Sequence, residues 1–407
     1  RRPDCAFWPD QVLKDAVACL AVLAVVLLLV LRPAFTEGYH LDLHDASRLG
    51  AELGAPADQA DQYLAARPEW YFLFLFQMLK YFPGSAEFVG AIVVPGLVML
   101  ILAAMPLVGR WKLGHGFNVA FLFALIIGAG TLTYRAWWDD HHGPDAAGFQ
   151  AAVVDAEEDA HRAAELAAAG IPPEGAIALV RHDPQIQGRK LFKAKCAQCH
   201  GAAGSQDGKG QPKYDGAPKL DRFASRDWLA GLLSAEAIDG PDYFGNTSHH
   251  AGDMSKFVKE DLKDWKKDEI ENVIIALSAE AHLPEQAEMD ARDKDRIAAG
   301  VKLIKDDGRC AQCHVFYDAG SAGSAPELTG YGSRKWLTAF ISNPAAERFY
   351  GENNDRMPAF ADHPPGSPQN ELGQQAIELL ADWLRRDWNP GKGAEPVAAA
   401  GEQGAEK

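Results

Sequence analysis

Cys196-Ala197-Gln198-Cys199-His200 and Cys310-Ala311-Gln312-Cys313-His314 are two copies of one pentapeptide, C-x-x-C-H. That pattern attaches c-type haem: the two thiols add across the haem vinyl groups, and the histidine supplies one axial bond to iron. A tetrahedral zinc site would need a second ligand pair at finger or ribbon spacing, and a histidine directly after the second thiol fits that geometry poorly. Two copies in similar flanking sequence rarely arise by chance. The sequence therefore predicts two covalently bound haems, one on Cys196 and Cys199 with His200, the other on Cys310 and Cys313 with His314.

The flanks repeat as well. Ala217-Pro218-Lys219-Leu220 followed by Ser225-Arg226-Asp227-Trp228-Leu229 answers Ala325-Pro326-Glu327-Leu328 followed by Ser333-Arg334-Lys335-Trp336-Leu337. Phe244-Gly245 answers Tyr350-Gly351, and Met254 with Phe257 answers Met357 with Phe360. Each copy has a helical pattern before its haem motif, and each ends in an amphipathic one, near residues 269–279 and 374–386. This resembles class I cytochrome c twice over, a small all-α fold packed around its haem, with one domain at 183–285 and a second at 286–390.

The resemblance implies a sixth iron ligand some tens of positions after each motif. Met357, in Arg356-Met357-Pro358-Ala359-Phe360, matches the family's M-P-x-F pattern. Met254 is followed by Ser255 rather than proline, and His249 and His250 lie just upstream, so Met254 and a second histidine both stay open for the first haem. The choice matters because methionine raises the haem potential relative to a pair of histidines. Either methionine could instead simply fill a gap in the core. Pro218 and Pro326 are similar to the family proline whose carbonyl orients the iron-binding imidazole.

The 407 residues allow two or three domains. Of the six cysteines, only Cys5 and Cys19 lie outside the haem motifs, and buried inert thiols are a simpler reading than a disulfide. A net charge of -16 argues against a nucleic-acid partner, since phosphate binding needs a basic face. With 47% hydrophobic residues, the charge suits a chain with separate apolar and strongly solvated portions.

Three apolar runs, at about residues 11–31, 88–108 and 117–134, approach the ~20 residues that cross a bilayer as helix. The first could be a signal peptide behind Arg1 and Arg2, but its run is too long and no small-residue cleavage site follows, so it reads as an anchor. Arg110 and Lys112 make the second loop basic, whereas the first loop carries Glu37, Asp42, Asp45, Glu52, Asp58 and Asp61. The N-terminus and the basic loop are therefore expected in the cytoplasm, with the acidic loop and everything after the third span outside. Haem is attached to such motifs on the outer face of bacterial membranes, which agrees. Trp137 and Trp138 read as an interfacial belt. No histidine lies inside the spans, so the chain cannot hold a bilayer-embedded b haem alone.

Ahead of the second span lies Arg67-Pro68-Glu69-Trp70-Tyr71-Phe72-Leu73-Phe74-Leu75-Phe76-Gln77-Met78-Leu79-Lys80-Tyr81. Pro68 suits a first helical turn and Glu69 the positive end of the helix dipole, so the acid could be a cap and nothing more. Against that, an acid entering a dense aromatic run would be desolvated, its pKa raised and its carboxylate made able to accept a proton. Pro68-Glu69-Trp70-Tyr71 matches the P-E-W-Y motif of cytochrome b and subunit IV of bc/bf-type complexes, and Phe7-Trp8-Pro9-Asp10 resembles the residues leading into the first helix of subunit IV.

The resemblance covers about residues 7–138. It implies a fusion of subunit IV with a dihaem cytochrome c in a quinol–cytochrome c reductase, with quinol as substrate and Glu69 as its proton acceptor on the outer side. Pro68, Trp70 and Tyr71 would build the same site. The implied partners are a cytochrome b-type subunit carrying b haems, a Rieske protein with its 2Fe-2S cluster, and a downstream cytochrome c or oxidase, in a bacterial inner membrane. The rival is a membrane-anchored dihaem carrier or oxidase subunit without a quinol site, whose signature would lack P-E-W-Y. Residues 139–182 read as an acidic helical linker, solvated from about 146 to 170 and stopped at Ile171-Pro172-Pro173. His141 and His142 are left without a role, and 391–407 reads as a disordered tail.

Overall fold

The computed structural model describes residues 7–31, 54–59, 61, 63–201, 217–306, 309–321 and 325–388. It is helical, and no β-strand forms among those residues. The chain divides into two compact units, Arg1–His161 and Arg162–Lys407.

The first unit holds α1 (Val12–Leu31), α2 (Leu73–Leu79), α3 (Val94–Val108) and α4 (Gly114–His142). Three helical stretches are long and apolar enough to cross a membrane: Trp8–Leu28, Gly84–Val108 and Gly114–His142. Helix suits a lipid environment because it satisfies every backbone polar group internally. The outward side chains of α1, among them Leu20, Val22 and Leu28, are exposed on the chain by itself.

The third stretch is longer than its apolar run, because it continues past Tyr134 to His142. Side chains one turn apart support these last turns: Arg135 pairs with Asp139 at 3.3 Å, and the rings of Trp138 and His142 stack at 4.2 Å. The α2 helix, opened by a tight turn at Trp70–Phe72, packs along α4. Cys19 lies exposed on α1; Cys5, the acidic positions 37 to 52 and the tail from 391 lie outside the described residues.

Next in the chain, α5 (Ala146–Ala169) runs from the first unit into the second. It stops at Gly170, whose φ of +128° is open essentially to glycine alone, so the helix ends before the prolines. Its second-unit end is not wholly solvated. Arg162 and Ala163 are buried, and Arg162 donates to Asp183 at 2.7 and 3.0 Å and to the Trp388 carbonyl at 2.9 Å. A buried cation requires such partners, and the residues that supply them are distant in sequence.

The second unit continues with α6 (Ala176–His182), α7 (Arg189–Lys195), α8 (Ala197–His200), α9 (Arg226–Leu232), α10 (Asp253–Lys256) and α11 (Lys267–Glu280). It closes with α12 (Ala287–Arg292), α13 (Lys294–Ile304), α14 (Arg334–Ser342) and α15 (Gln374–Leu384). The repeat is visible in the local bonding. Ser225 and Ser333 cap α9 and α14 through the backbone N–H of Trp228 and Trp336, each at 3.2 Å. The two indoles donate in turn to the carbonyls of Lys219 and Glu327, each at 2.8 Å.

Two helix crossings form the core. The α11 helix packs on α13, with Val273, Ala276, Leu277 and Ile304 buried between them. There Gly300 lets the backbones meet, because a Cβ at that position would sit 2.0 Å from the Asn272 carbonyl oxygen and 2.6 Å from the Ala276 Cβ. The α7 helix and the turn before it pack on α15, with Phe192 against Trp383 at 4.8 Å. Gly188 serves that crossing in the same way: its Cβ would lie 2.2 Å from the Cβ of Trp383. Each crossing thus joins a helix of one sequence copy to a helix of the other.

Candidate functional site

The first C-x-x-C-H motif begins where α7 ends. Cys196 caps that helix, and α8 carries the motif to His200. The Nδ1 of His200 lies 2.8 Å from the carbonyl oxygen of Pro218. A carbonyl only accepts, so Nδ1 bears the proton and Nε2 keeps its lone pair. Cys196 and Ala197 pack with Phe192, Leu220, Ile377 and Leu380, and Met357 and Phe360 lie in the same apolar layer. Burial pushes the Cys196 thiol up to about 11, with Cys199 adding to the effect. Burial also lowers the His200 imidazole, against the opposing bond to Pro218, which favours the neutral form that iron binds.

The second motif repeats this construction after α13. His314 Nδ1 lies 2.7 Å from the Pro326 carbonyl oxygen, and burial lowers that imidazole too. Cys310 is pushed up to about 11 by burial. It packs against the large core that contains Ile304, Phe316, Leu328 and Trp336, with Trp265 also in contact. Arg309, one residue ahead of the motif, lies 4.0 Å over the Trp265 ring and 3.4 Å from Glu269. Met254 packs with Ile238, Val258, Phe257 and that same Trp265.

His249 stacks on Tyr350 at 5.3 Å, and His250 Nδ1 lies 3.2 Å from the Thr247 carbonyl. In each motif one half-buried and one exposed thiol, one free imidazole nitrogen, an apolar lining and a thioether nearby form a donor set that fits haem. Among the described residues, no group of three or more His, Cys, Asp or Glu could hold a metal ion.

In the first unit, Glu69 occupies the N-cap of the turn at Trp70–Phe72, and its side chain makes no capping bond. Pro68 therefore precedes the helix instead of opening it. Glu69 is exposed on this chain, as are Trp70 and Tyr71. The residues around the acid are held firmly. Arg67 grips Asp140 of α4 with two bonds, Nε to Oδ2 at 3.0 Å and Nη2 to Oδ1 at 2.9 Å. Its guanidinium also lies 4.2 Å over the Phe149 ring. On α2, buried Gln77 donates to Asp139 at 2.9 Å. These links join positions more than sixty residues apart, so no local pattern in the sequence announces them.

Comparison with known proteins agrees with this division. Residues 56–136 match the family described as Cytochrome b(C-terminal)/b6/petD, and residues 186–275 match Cytochrome c. The chain joins a membrane segment of the C-terminal cytochrome b type to cytochrome c. More particularly, it is similar to proteins named menaquinol:cytochrome c reductase cytochrome c subunit. The one from Geobacillus thermodenitrificans is 29% identical over 208 residues, 48% of this chain and 64% of that protein. The one from Bacillus subtilis (strain 168) is 34% identical over 109 residues, 26% of this chain and 36% of that protein. The matches thus span less than two thirds of each relative's length. No solved structure matches the chain.

Proposed function

We propose that this chain is a subunit of a membrane quinol–cytochrome c oxidoreductase, contributing part of the quinol-oxidising site and carrying two c-type haems. The observation that carries the reading is the placement of Glu69. It stands at the head of the Trp70–Phe72 turn, its preceding residue clamped to α4 by the Arg67–Asp140 pair, in a chain that also builds two histidine–proline carbonyl pockets.

Oxidation of a quinol releases two electrons and two protons. An exposed carboxylate beside aromatic faces can accept one of those protons, and the exposed Trp70 and Tyr71 leave room for a partner subunit to close the site. Pro68 sets the direction of the chain into the turn. The b haems and the Rieske 2Fe-2S cluster belong to the partners in this scheme. In the second unit, His200, His314, Met254 and Met357 would hold the two haem irons, and Cys196, Cys199, Cys310 and Cys313 would anchor the haems covalently. Haem bound there would supply the one-electron couple between quinol oxidation and a downstream acceptor. In this reading the N-terminus lies in the cytoplasm and the second unit on the outer side of the inner membrane, which the charge asymmetry of the loops supports. Four segments follow the function: a membrane domain to about 138, a linker to about 182 and the two cytochrome copies.

The test is Glu69→Gln in the intact complex. Quinol oxidation should fall while the covalent haem content stays at the wild-type value. An unchanged rate across pH would remove Glu69 from the mechanism.

A further inference from the structure

The second unit draws each haem pocket from both copies of its repeat. From the geometry we infer that the axial methionines are exchanged: Met357, from the second copy, completes the iron held by His200, and Met254, from the first copy, completes the iron held by His314. The inference rests on the haem reading of the two motifs.

Three independent features carry it. The first is helix pairing. The helix that leads into Cys196 crosses α15 at the end of the second copy, where Gly188 backs onto Trp383. At that crossing Lys195 reaches Glu371 at 2.7 Å. The helix that leads into Cys310 crosses α11 at the end of the first copy, through Gly300. The second is where the methionines pack. Met357 shares one apolar layer with Cys196, whereas Met254 packs on Trp265, which also lines the core beside Cys310.

The third is that the two methionine-bearing loops pass side by side. Arg356 donates to the Asn246 carbonyl at 2.7 Å, and the Ser248 N–H lies 3.4 Å from Asp355. The chain thus exchanges partners once, between each proline that holds a histidine and the methionine that follows.

Chain connectivity explains the choice. The α11 and α13 helices are neighbours in sequence, joined through the short α12, and such neighbours pair with little loop-closure cost. That pairing leaves α7 only α15 to cross. One corollary concerns His249 and His250. They sit in the Met254 loop, so as competing ligands they would address the iron of His314 and not that of His200.

Two measurements decide it. On the wild-type complex, a zero-length carbodiimide joins an ammonium to a carboxylate in direct contact. Peptide mapping of the un-multimerised chain should recover a Lys195–Glu371 link. Recovery of Lys195 joined only to Asp264, Asp268 or Glu269, at the start of α11, would overturn the exchange.

In the variant Cys310→Ala/Cys313→Ala, which keeps only the first motif's haem, the far-red sulfur-to-iron absorption band should be lost on adding Met357→Ala and kept on adding Met254→Ala. The opposite result overturns it. If that variant fails to accumulate, the cross-link on wild-type protein still decides. Failure of the haem reading itself would show separately, as a pyridine haemochrome assay without covalent haem.

Discussion

Arg385 offers the sharpest test of how the second unit is held together. It follows α15 directly and is 6% exposed. Its Nη1 donates to the carbonyls of Ala281 and, at 3.0 Å, Gly332, and its Nη2 donates to the His282 carbonyl at 3.0 Å. Three carbonyls from two distant segments therefore converge on one cation, while its Nε has no partner. Burial lowers the Arg385 pKa, an unfavourable contribution that the three bonds must exceed.

Arg385→Met keeps the length of the side chain and removes the donors. Each buried carbonyl left unpaired costs about 1–3 kcal/mol, partly offset by removal of the buried charge. The expected net loss is about 3 kcal/mol, or roughly 6–12 °C in midpoint for a unit of this size. Thermal unfolding of the full chain, followed by circular dichroism in the haem band, measures it. A shift under about 1 °C would refute the reasoning, because it would mean that the carbonyls are satisfied without the arginine.

Three further outcomes are expected. Gly300→Val should destabilise the α11–α13 crossing by about 1–3 kcal/mol through overpacking, read by the same thermal unfolding, and a neutral effect would contradict the close backbone contact. Arg67→Ala should slow quinol oxidation roughly tenfold or more by releasing the segment that positions Glu69, with haem content unchanged; turnover at the wild-type rate would show the clamp to be irrelevant. The Arg226 side chain holds Asp293 below the ordinary carboxylate value, chiefly by a direct hydrogen bond. That stabilisation is complete above about pH 3.9, the unfolded aspartate value, and is lost as pH falls through the lowered folded value. The stability difference between wild type and Arg226→Gln should therefore narrow on acidification, and a difference constant from neutral pH downward would exclude this linkage.

Much of the molecule is legible in short stretches. The spans are visible because crossing lipid demands an unbroken apolar run, whatever surrounds it. The C-x-x-C-H and P-E-W-Y strings are visible because each is a short fixed run of residue types that can be read without any tertiary context. The helix that carries Trp137 and Trp138 outruns its apolar stretch, since pairs such as Arg135–Asp139 extend it without any hydrophobic signal. The burial of Arg162 is hidden for a similar reason: an alanine-rich acidic helix gives no sign that Asp183 and the Trp388 carbonyl will enclose one of its charges.

The composition of the two motif sites can be read from local sequence, because thiols, imidazole and proline carbonyl lie close together in each copy. Which distant segments complete them depends on how the helices pack. Both copies end in a helix that buries one face, and a close-packed glycine stands ready on each partner, at Gly188 and Gly300, so local pattern permits either pairing. The short connection between α11 and α13 breaks that equivalence. It brings neighbours together at least entropic cost, and it sends the methionine of each copy toward the histidine of the other.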